Sequence, residues 1–125
     1  MQLVADANVL LSAVIGGRAK LILEHPEVEA VFTPATAVDE VCEYFPALAH
    51  KKRLQLDTLL LTLAALPVTV VDRAEYRRHV AEAGRRIRRR DPDDVDVLAL
   101  ALHLKLQVWS NDNDLEAGGV SSSCA

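Results

Sequence analysis

Residues 3–14 read LVADANVLLSAV, and this stretch decides the fold class. Residues 3–5 are a short apolar run that ends at Asp6, which predicts a first strand. Residues 9–14 are then predicted to form a helix. A strand that passes through a polar residue directly into a helix is typical of an α/β unit.

The rest of the chain repeats this alternation. Further strands are predicted at residues 28–32, ended by Thr33-Pro34, and at residues 68–71 and 106–109. Helices are predicted at residues 19–24, 36–46, 54–66, 75–89 and 93–105. In the second of these, Thr36 is the predicted cap and Pro46 ends or kinks the helix. Short apolar strands alternating with helices indicate an α/β fold with a mostly parallel sheet.

Composition and charge restrict the class of protein further. The 125 residues suit one domain, 1–125, and half of them are hydrophobic while only 4% are aromatic, so the core must be built from Leu, Val and Ala. The longest apolar run is too short to span a bilayer, and the N-terminus lacks a basic leader. Cys42 and Cys124 form no metal or redox motif, which favours a reducing, cytoplasmic location.

Acidic residues follow two of the predicted strands. Asp6 ends the first strand, and the last strand runs into VWSNDNDLE, residues 108–116, which carries Asp112 and Asp114. In parallel sheets, ligands bind beyond the carboxyl ends of the strands. Each acid also has a simpler explanation, because Asp6 can cap the helix after it and Asp, Asn and Ser are common in turns. Two acidic strand ends in one fold favour a site.

A third group of acids opens the helix before the last strand. Asp91 and Asp93 can be explained as favourable charges at a helix N-terminus. Asp94 shares a helix face with Leu98 and Ala101, so its carboxylate needs a partner. Asp96 falls nearly opposite, beside His103, and is predicted to be solvated.

Glu40 is the fourth candidate. It belongs to a helix that starts just after a predicted strand, so its side chain can reach the same edge of the sheet. A first-turn glutamate favoured by the helix dipole explains it equally well. If Asp6, Glu40, Asp94 and Asp112 converge, divalent cations must neutralise their mutual repulsion, and oxygen-only ligands favour Mg²⁺ or Mn²⁺. Such cations support the hydrolysis of phosphodiesters.

Four stretches together resemble the PIN-domain family of metal-dependent nucleases. They are LVADANVLLSA, TAVDEVCEY, RDPDDVDVLALAL and VWSNDND, in order from residue 3 to about residue 115. The likeness is strongest to single-domain prokaryotic members with an Asp-Pro-Asp-Asp helix start. It implies a three-layer Rossmann-like fold with four to five mostly parallel strands, and a Mg²⁺- or Mn²⁺-dependent endoribonuclease. It also implies a homodimer, and a VapC-type toxin inhibited by a small antitoxin.

The resemblance assigns roles to individual residues. Asp6, Glu40, Asp94 and Asp112 match the family's four acids, which are both catalytic and metal-binding. Asp114 is an additional or alternating metal ligand, while Asn8 and Ser110 support the site. The chain departs from the family in its tail after Glu116, which lacks a short β-branched strand that many members have.

A basic segment precedes the third acid. It carries Arg85, Arg86, Arg88, Arg89 and Arg90. These arginines could neutralise RNA phosphates, in which case binding would be salt-sensitive. They could also form a solvated helix face whose charges pair with Glu82 and the acids that follow, or hold an acidic antitoxin. The sequence does not separate these readings.

The remaining polar and aromatic residues have structural explanations. Trp109 is predicted to be core rather than a base-stacking platform. His79 and His103 are predicted on exposed helix faces, and no histidine is predicted to be a metal ligand. The alternative to a ribonuclease is a non-catalytic PIN-fold module that binds RNA or a protein. A small-ligand α/β domain is a weaker third reading, because no Gly-rich phosphate loop is present.

Overall fold

The computed structural model describes residues 1–86 and 94–109, and Asp94 through its backbone alone. Four parallel strands form one sheet in the order β3-β2-β1-β4. The strands are β1 (Gln2–Ala5), β2 (Ala30–Pro34), β3 (Thr69–Val71) and β4 (Gln107–Trp109). The predicted α/β class and the mostly parallel sheet are confirmed.

Seven helices lie between and beside these strands in the described part of the chain. They are α1 (Ala7–Val14), α2 (Arg18–Leu23), α3 (Ala35–Lys52), α4 (Leu56–Ala65), α5 (Arg73–Tyr76), α6 (Val80–Arg86) and α7 (Asp94–Leu104). A 3-10 turn, Arg77–His79, joins α5 to α6. The predicted helix over residues 75–89 is therefore divided into short pieces. No helix among the described residues is long and apolar enough to cross a membrane.

The sheet separates two helical layers because successive strand side chains point to opposite faces. Val4 of β1 and Val108 of β4 pack with α7 on one face. Ala5 and Val31 lie on the other face, where they pack with α1 and α2, and Trp109 is partly buried against them. The outer part of that layer packs α1, α3 and α4 around Leu10 and Phe45. The architecture is a three-layer α/β arrangement with helices on both faces of the sheet.

Two local predictions at β2 and α3 are wrong, and both concern how the chain leaves the sheet. The strand includes Thr33 and Pro34 instead of ending before them, because Thr33 and Pro34 pair with Val70 and Val71 of β3. Pro34 then occupies the N-cap position of α3, so Thr36 lies inside the first turn.

Pro46 does not end α3, which continues through it to Lys52. A proline inside a helix lacks an N–H donor and crowds the carbonyl one turn earlier. The helix continues because Val41, Phe45 and Leu48 are buried on either side of the proline. Packing of this apolar face outweighs the local preference of the backbone.

We expect Pro46→Ala to stabilise the protein. Pro46 is exposed, so its replacement opens no cavity, and alanine is about 3 kcal/mol better than proline inside a helix. Greater chain freedom in the unfolded state offsets about 0.4–1 kcal/mol of this gain. Urea denaturation should therefore show a rise of roughly 1–3 kcal/mol in the free energy of unfolding. Pro67→Ala, which lies outside any helix, is the control and should show no such gain; a Pro46→Ala protein no more stable than wild type would contradict the account.

Candidate active site at the carboxyl edge of the sheet

The topology of the sheet creates a crevice between β1 and β4. Strand order advances from β1 to β2 and β3 on one side, whereas β4 returns to the other side of β1. Ala5 and Trp109, the last residues of their strands, pair in register. The last described residues of these two strands therefore lie at the same level of the sheet. Open α/β sheets bind ligands at such a point, beyond the carboxyl ends of the strands.

Asp6 lies at this crevice as the residue after β1. Its side chain is buried, and its Oδ1 accepts a 2.9 Å hydrogen bond from the Val9 amide at the start of α1. The extended backbone of Asp6 and its position before Ala7 make it the N-cap of α1. The capping role weighed against a site is thus real. It does not exclude a second role, because a carboxylate has two oxygens and about four acceptor positions.

Thr33 holds the neighbouring strand end in place. Its side chain is fully buried, and its hydroxyl donates a 2.9 Å hydrogen bond to the carbonyl of Ala5, immediately before Asp6. The bond ties the ends of β1 and β2 together across the sheet. The sequence reasoning missed this role because it treated Thr33-Pro34 as the signal that ends the strand. A hydroxyl residue directly before the last residue of a strand was the signal available.

Glu40 and Asp94 are carried by two helices that meet the same edge. Glu40 is exposed and follows Thr36 by one turn of α3, the helix that leaves β2 at its carboxyl end. Asp94 is the first residue of α7, and α7 leads into β4, so the N-terminus of α7 lies at the carboxyl edge. The backbone thus brings the positions of Asp6, Glu40 and Asp94 to one edge of the sheet.

Other candidate residues lie beside this edge or outside the described residues. Asn8 is exposed in the first turn of α1. Outside the described residues lie Ser110, Asp112 and Asp114, together with Arg88, Arg89, Arg90 and the neighbouring Asp91 and Asp93. The proposed roles of these residues stay predictions.

Asp96 is not solvated as predicted. Its side chain is only 13% exposed, and its Oδ2 accepts a hydrogen bond from the hydroxyl of Tyr76 and lies 3.4 Å from Nε of Arg73. The prediction was wrong because helical periodicity places Asp96 opposite Leu98 but does not reveal that α5 packs there. Tyr76 and Arg73 are functional candidates that the sequence reasoning missed; a tyrosine on an otherwise apolar helix face was the available signal.

Tyr76 is the centre of this polar contact. Its side chain is completely buried. Burial raises the pKa of the Tyr76 hydroxyl well above its usual value, and the hydrogen bond to Asp96 raises it further, while a hydrogen bond with Thr36 acts in the opposite direction. The hydroxyl therefore stays protonated and remains a donor to Asp96. Thr36, whose side chain lowers the pKa of Tyr76, belongs to the first turn of α3, one turn from Glu40.

The histidines were also placed incorrectly. His79 and His103 are half-buried, and their rings lie with centroids 5.4 Å apart. Nδ1 of His103 is inaccessible to solvent and finds no hydrogen-bond partner among the described residues. Neither residue lies on a fully exposed helix face as predicted, because the 3-10 turn places His79 against α7. This pair lies on the α7 surface that also carries Asp96, two turns earlier.

Arg85 and Arg86 form ion pairs with one glutamate. Arg85 Nη2 lies 3.1 Å from Glu82 Oε1, and Arg86 Nε lies 3.0 Å from Oε2. The hydrogen bonds from Arg86 and Arg85 lower the pKa of Glu82. These ion pairs are the arrangement expected of a solvated helix face. Glu82 thereby neutralises part of the positive charge that Arg85 and Arg86 would otherwise offer to an RNA phosphate.

The carboxylate oxygens at this edge are ligands that suit a hard divalent cation. Asp6, Glu40 and Asp94 would supply oxygen ligands, and His103 lies in the last turn of α7, at the opposite end of the helix that begins at Asp94. The described side chains, which include neither Asp94 nor Asp112, contain no group of three Asp, Glu, His or Cys residues able to hold a metal ion. A complete set of ligands for a metal ion would therefore need acids whose side chains are not described, such as Asp94 and Asp112.

These features define a class of protein: a three-layer, parallel α/β domain with acids at the carboxyl edge of its sheet. The chain belongs to the PIN-domain family, whose family model matches residues 4–124. Membership supports a nuclease activity, and nucleases of this family generally use divalent metals.

Comparison with a solved structure confirms the fold. The VapC20 toxin of Mycobacterium tuberculosis, described as cleaving the sarcin–ricin loop, superposes with a TM-score of 0.64 at 18% sequence identity. The match covers 94% of this chain and 95% of the toxin. At this identity the likeness establishes the fold alone. No curated protein is significantly similar in sequence.

Proposed function

We propose that this protein is a metal-dependent endoribonuclease that hydrolyses RNA phosphodiester bonds. The proposal is supported by membership of the PIN-domain family and by the backbone order, in which Asp6 follows β1, Glu40 belongs to the helix after β2, and Asp94 opens the helix before β4. Asp112 and Asp114 follow β4, the strand beside Asp6, and would complete the set. Asn8 and Ser110 would support it by hydrogen bonds.

The acids would hold one or two Mg²⁺ or Mn²⁺ ions. A divalent cation bound there supplies a water of lowered pKa and stabilises negative charge on the phosphodiester. The chain's own contribution is rigidity: Asp6 is fixed by its bond to the Val9 amide, and the strand before it is tied to β2 by Thr33. Such preorganisation reduces the cost of bringing the carboxylates together.

The proposed partners are an RNA substrate, an antitoxin protein and a second copy of this chain. The support for a protein partner is the exposure of leucine side chains on α2 and α4, where Leu21 and Leu61 are each 71% exposed. Leu56 and Leu60 of α4 are exposed as well. Leu56 and Leu60 are one turn apart on α4, and neighbouring exposed apolar residues are typical of protein interfaces. The support for the toxin role is the likeness in fold to the toxin named above.

Cleavage of RNA by wild type beside Asp94→Asn tests the activity. Total cellular RNA and a sarcin–ricin loop hairpin would each be incubated with Mn²⁺, Mg²⁺ or a chelator. We expect cutting by wild type with either metal, none with chelator, and a loss of roughly a hundredfold or more in Asp94→Asn, because a missing ligand removes several kcal/mol of transition-state stabilisation.

Asp57→Asn is the matched control, since Asp57 is an exposed first-turn acid of α4, away from the carboxyl edge. It should cut like wild type. A wild-type protein that binds RNA yet cuts neither substrate under any condition would favour the non-catalytic binding module instead.

A further inference from the structure

Arg73 is the first residue after the short link that follows β3, and one carboxylate orients it. Its Nε lies 3.4 Å from Asp96 Oδ2, the same oxygen that accepts the hydrogen bond of the Tyr76 hydroxyl. Tyr76 is fully buried and Asp96 nearly so, whereas the Arg73 side chain is 56% exposed. A buried tyrosine and a mostly buried carboxylate thus support an arginine whose outer part faces water.

The geometry leaves most of the guanidinium available. Arginine has five N–H donors in a planar fork, and the contact with Asp96 is made through Nε. A carboxylate that fixes Nε restricts the rotation of the side chain, so less freedom is lost when the remaining donors bind an anion. Phosphate oxygens match this fork better than they match the point charge of a lysine.

Arg73 also stands beside the candidate active site. Val71, the last residue of β3, pairs in register with Pro34, directly before α3. Asp96 lies two residues from Asp94 on α7, and Thr36, one turn from Glu40, is near enough to the Tyr76 hydroxyl to lower its pKa. Arg73 therefore contacts α7 through Asp96, while the neighbouring Tyr76 lies near Thr36 of α3, and these are the two helices that carry proposed metal ligands.

The surrounding charge favours an anionic partner. Arg77 and Arg78 follow on the same segment, both exposed, and neither forms an ion pair with another described residue. Arg85 and Arg86, by contrast, share Glu82. Arg77 and Arg78 therefore add positive charge beside Arg73, whose own ion pair with Asp96 leaves its side chain 56% exposed to an RNA backbone.

We propose that Arg73, oriented by Asp96 and Tyr76, binds a phosphate of the RNA strand next to the bond that is cut. This assignment rests on the proposed ribonuclease function. It makes Arg73 a substrate-binding residue, with Asp96 and Tyr76 as positioning residues. It also adds a phosphate contact earlier in the chain than the arginine-rich segment at residues 85–90.

Binding of a labelled single-stranded RNA in the presence of chelator tests the assignment without cleavage. Fluorescence anisotropy would compare wild type with Arg73→Ala from 50 to 200 mM salt. We expect roughly tenfold weaker binding at low salt, as for a lost hydrogen bond between charged groups. The slope of log affinity against log salt should fall in magnitude by about 0.7, the value for one phosphate contact on a single strand.

Lys52→Ala is the matched control, because Lys52 is exposed at the far end of α3 and carries the same charge. It should bind within about twofold of wild type with an unchanged slope. Equal effects of Arg73→Ala and Lys52→Ala would overturn the proposal, since they would reduce Arg73 to general surface charge. A wild type that binds no RNA would overturn it as well.

A double variant separates phosphate binding from simple neutralisation of Asp96. If Arg73 serves only to neutralise Asp96, then Arg73→Ala combined with Asp96→Asn should restore RNA binding. Under the proposal the double variant stays as weak as Arg73→Ala, and it also removes any folding defect caused by an unpaired carboxylate. Restored binding would contradict the assignment.

Failure of the two proposals gives different results. If wild type cuts no RNA but Arg73→Ala still loses binding and salt dependence, the ribonuclease proposal fails and the phosphate contact stands. If cleavage depends on metal while Arg73→Ala binds RNA like wild type, the ribonuclease proposal stands and the phosphate contact fails.

Discussion

Asp6→Asn is expected to abolish metal-dependent RNA cleavage while the protein stays folded. The carboxylate of Asp6 is buried at the switch point of the sheet, where a cation would need its charge. We expect a loss of roughly a hundredfold or more, equal to about 3 kcal/mol or more of transition-state stabilisation. The measurement is the initial rate of cleavage of a defined RNA in Mn²⁺.

The fold should survive this substitution because asparagine keeps the capping function. The Oδ1 atom that accepts the Val9 amide has an equivalent in Asn, and Asn and Asp rank together as N-caps. Circular dichroism and urea denaturation should therefore show a change within about 0.5 kcal/mol. Asp6→Ala is the informative companion, because it removes both charge and cap and should cost about 1 kcal/mol in addition to activity. An Asp6→Asn enzyme that cuts RNA at the normal rate would refute the assigned site.

Phe45→Ala is expected to cause a large loss of stability, with no direct effect on the acids. Phe45 is completely buried between α1, α3 and α4, against a cluster that includes Leu10 and Leu59. Removing a buried aromatic ring costs about 3–5 kcal/mol through lost transfer energy and the cavity left behind. Domains of this kind are stable by about 5–15 kcal/mol in total, so the variant would be marginal. Urea denaturation measures the difference.

The adjacent aromatic residue provides the control for this prediction. Tyr44 lies on the same helix and is 43% exposed. Tyr44→Ala should cost less than about 1 kcal/mol, since it loses little buried area. If Phe45→Ala and Tyr44→Ala were equally mild, the packing of α3 described above would be wrong.

The sequence predicted the alternation of strands and helices because short apolar runs and helical segments leave a direct pattern. The site at the carboxyl edge was also predictable to the extent that acids follow strands, as Asp6 follows Ala5. The bounds near Pro34 and Pro46 were not predictable. Pairing with β3 and burial of one face of α3 override the local effect of a proline there, and both are tertiary interactions.

The contact between Asp96, Tyr76 and Arg73 was beyond sequence reasoning for a related physical reason. Periodicity assigns a helix face to solvent or to the core, but it cannot tell which neighbouring element covers that face. The division of residues 73–86 into two short helices and a 3-10 turn brings Tyr76 and His79 onto α7. The face of α7 that carries Asp96 is therefore largely buried, although it was predicted to be solvated.

Titration of the folded protein with Mn²⁺ in a calorimeter tests the central claim most directly, because it asks whether the acids at the sheet edge bind a metal. Wild type should bind at least one ion per chain, and at a hundredfold excess over the dissociation constant the ion should add about 2.7 kcal/mol to the free energy of unfolding. Asp6→Asn and Asp94→Asn should each lose this binding, whereas Asp57→Asn should keep it. A folded wild type that shows no saturable Mn²⁺ or Mg²⁺ binding would contradict the account.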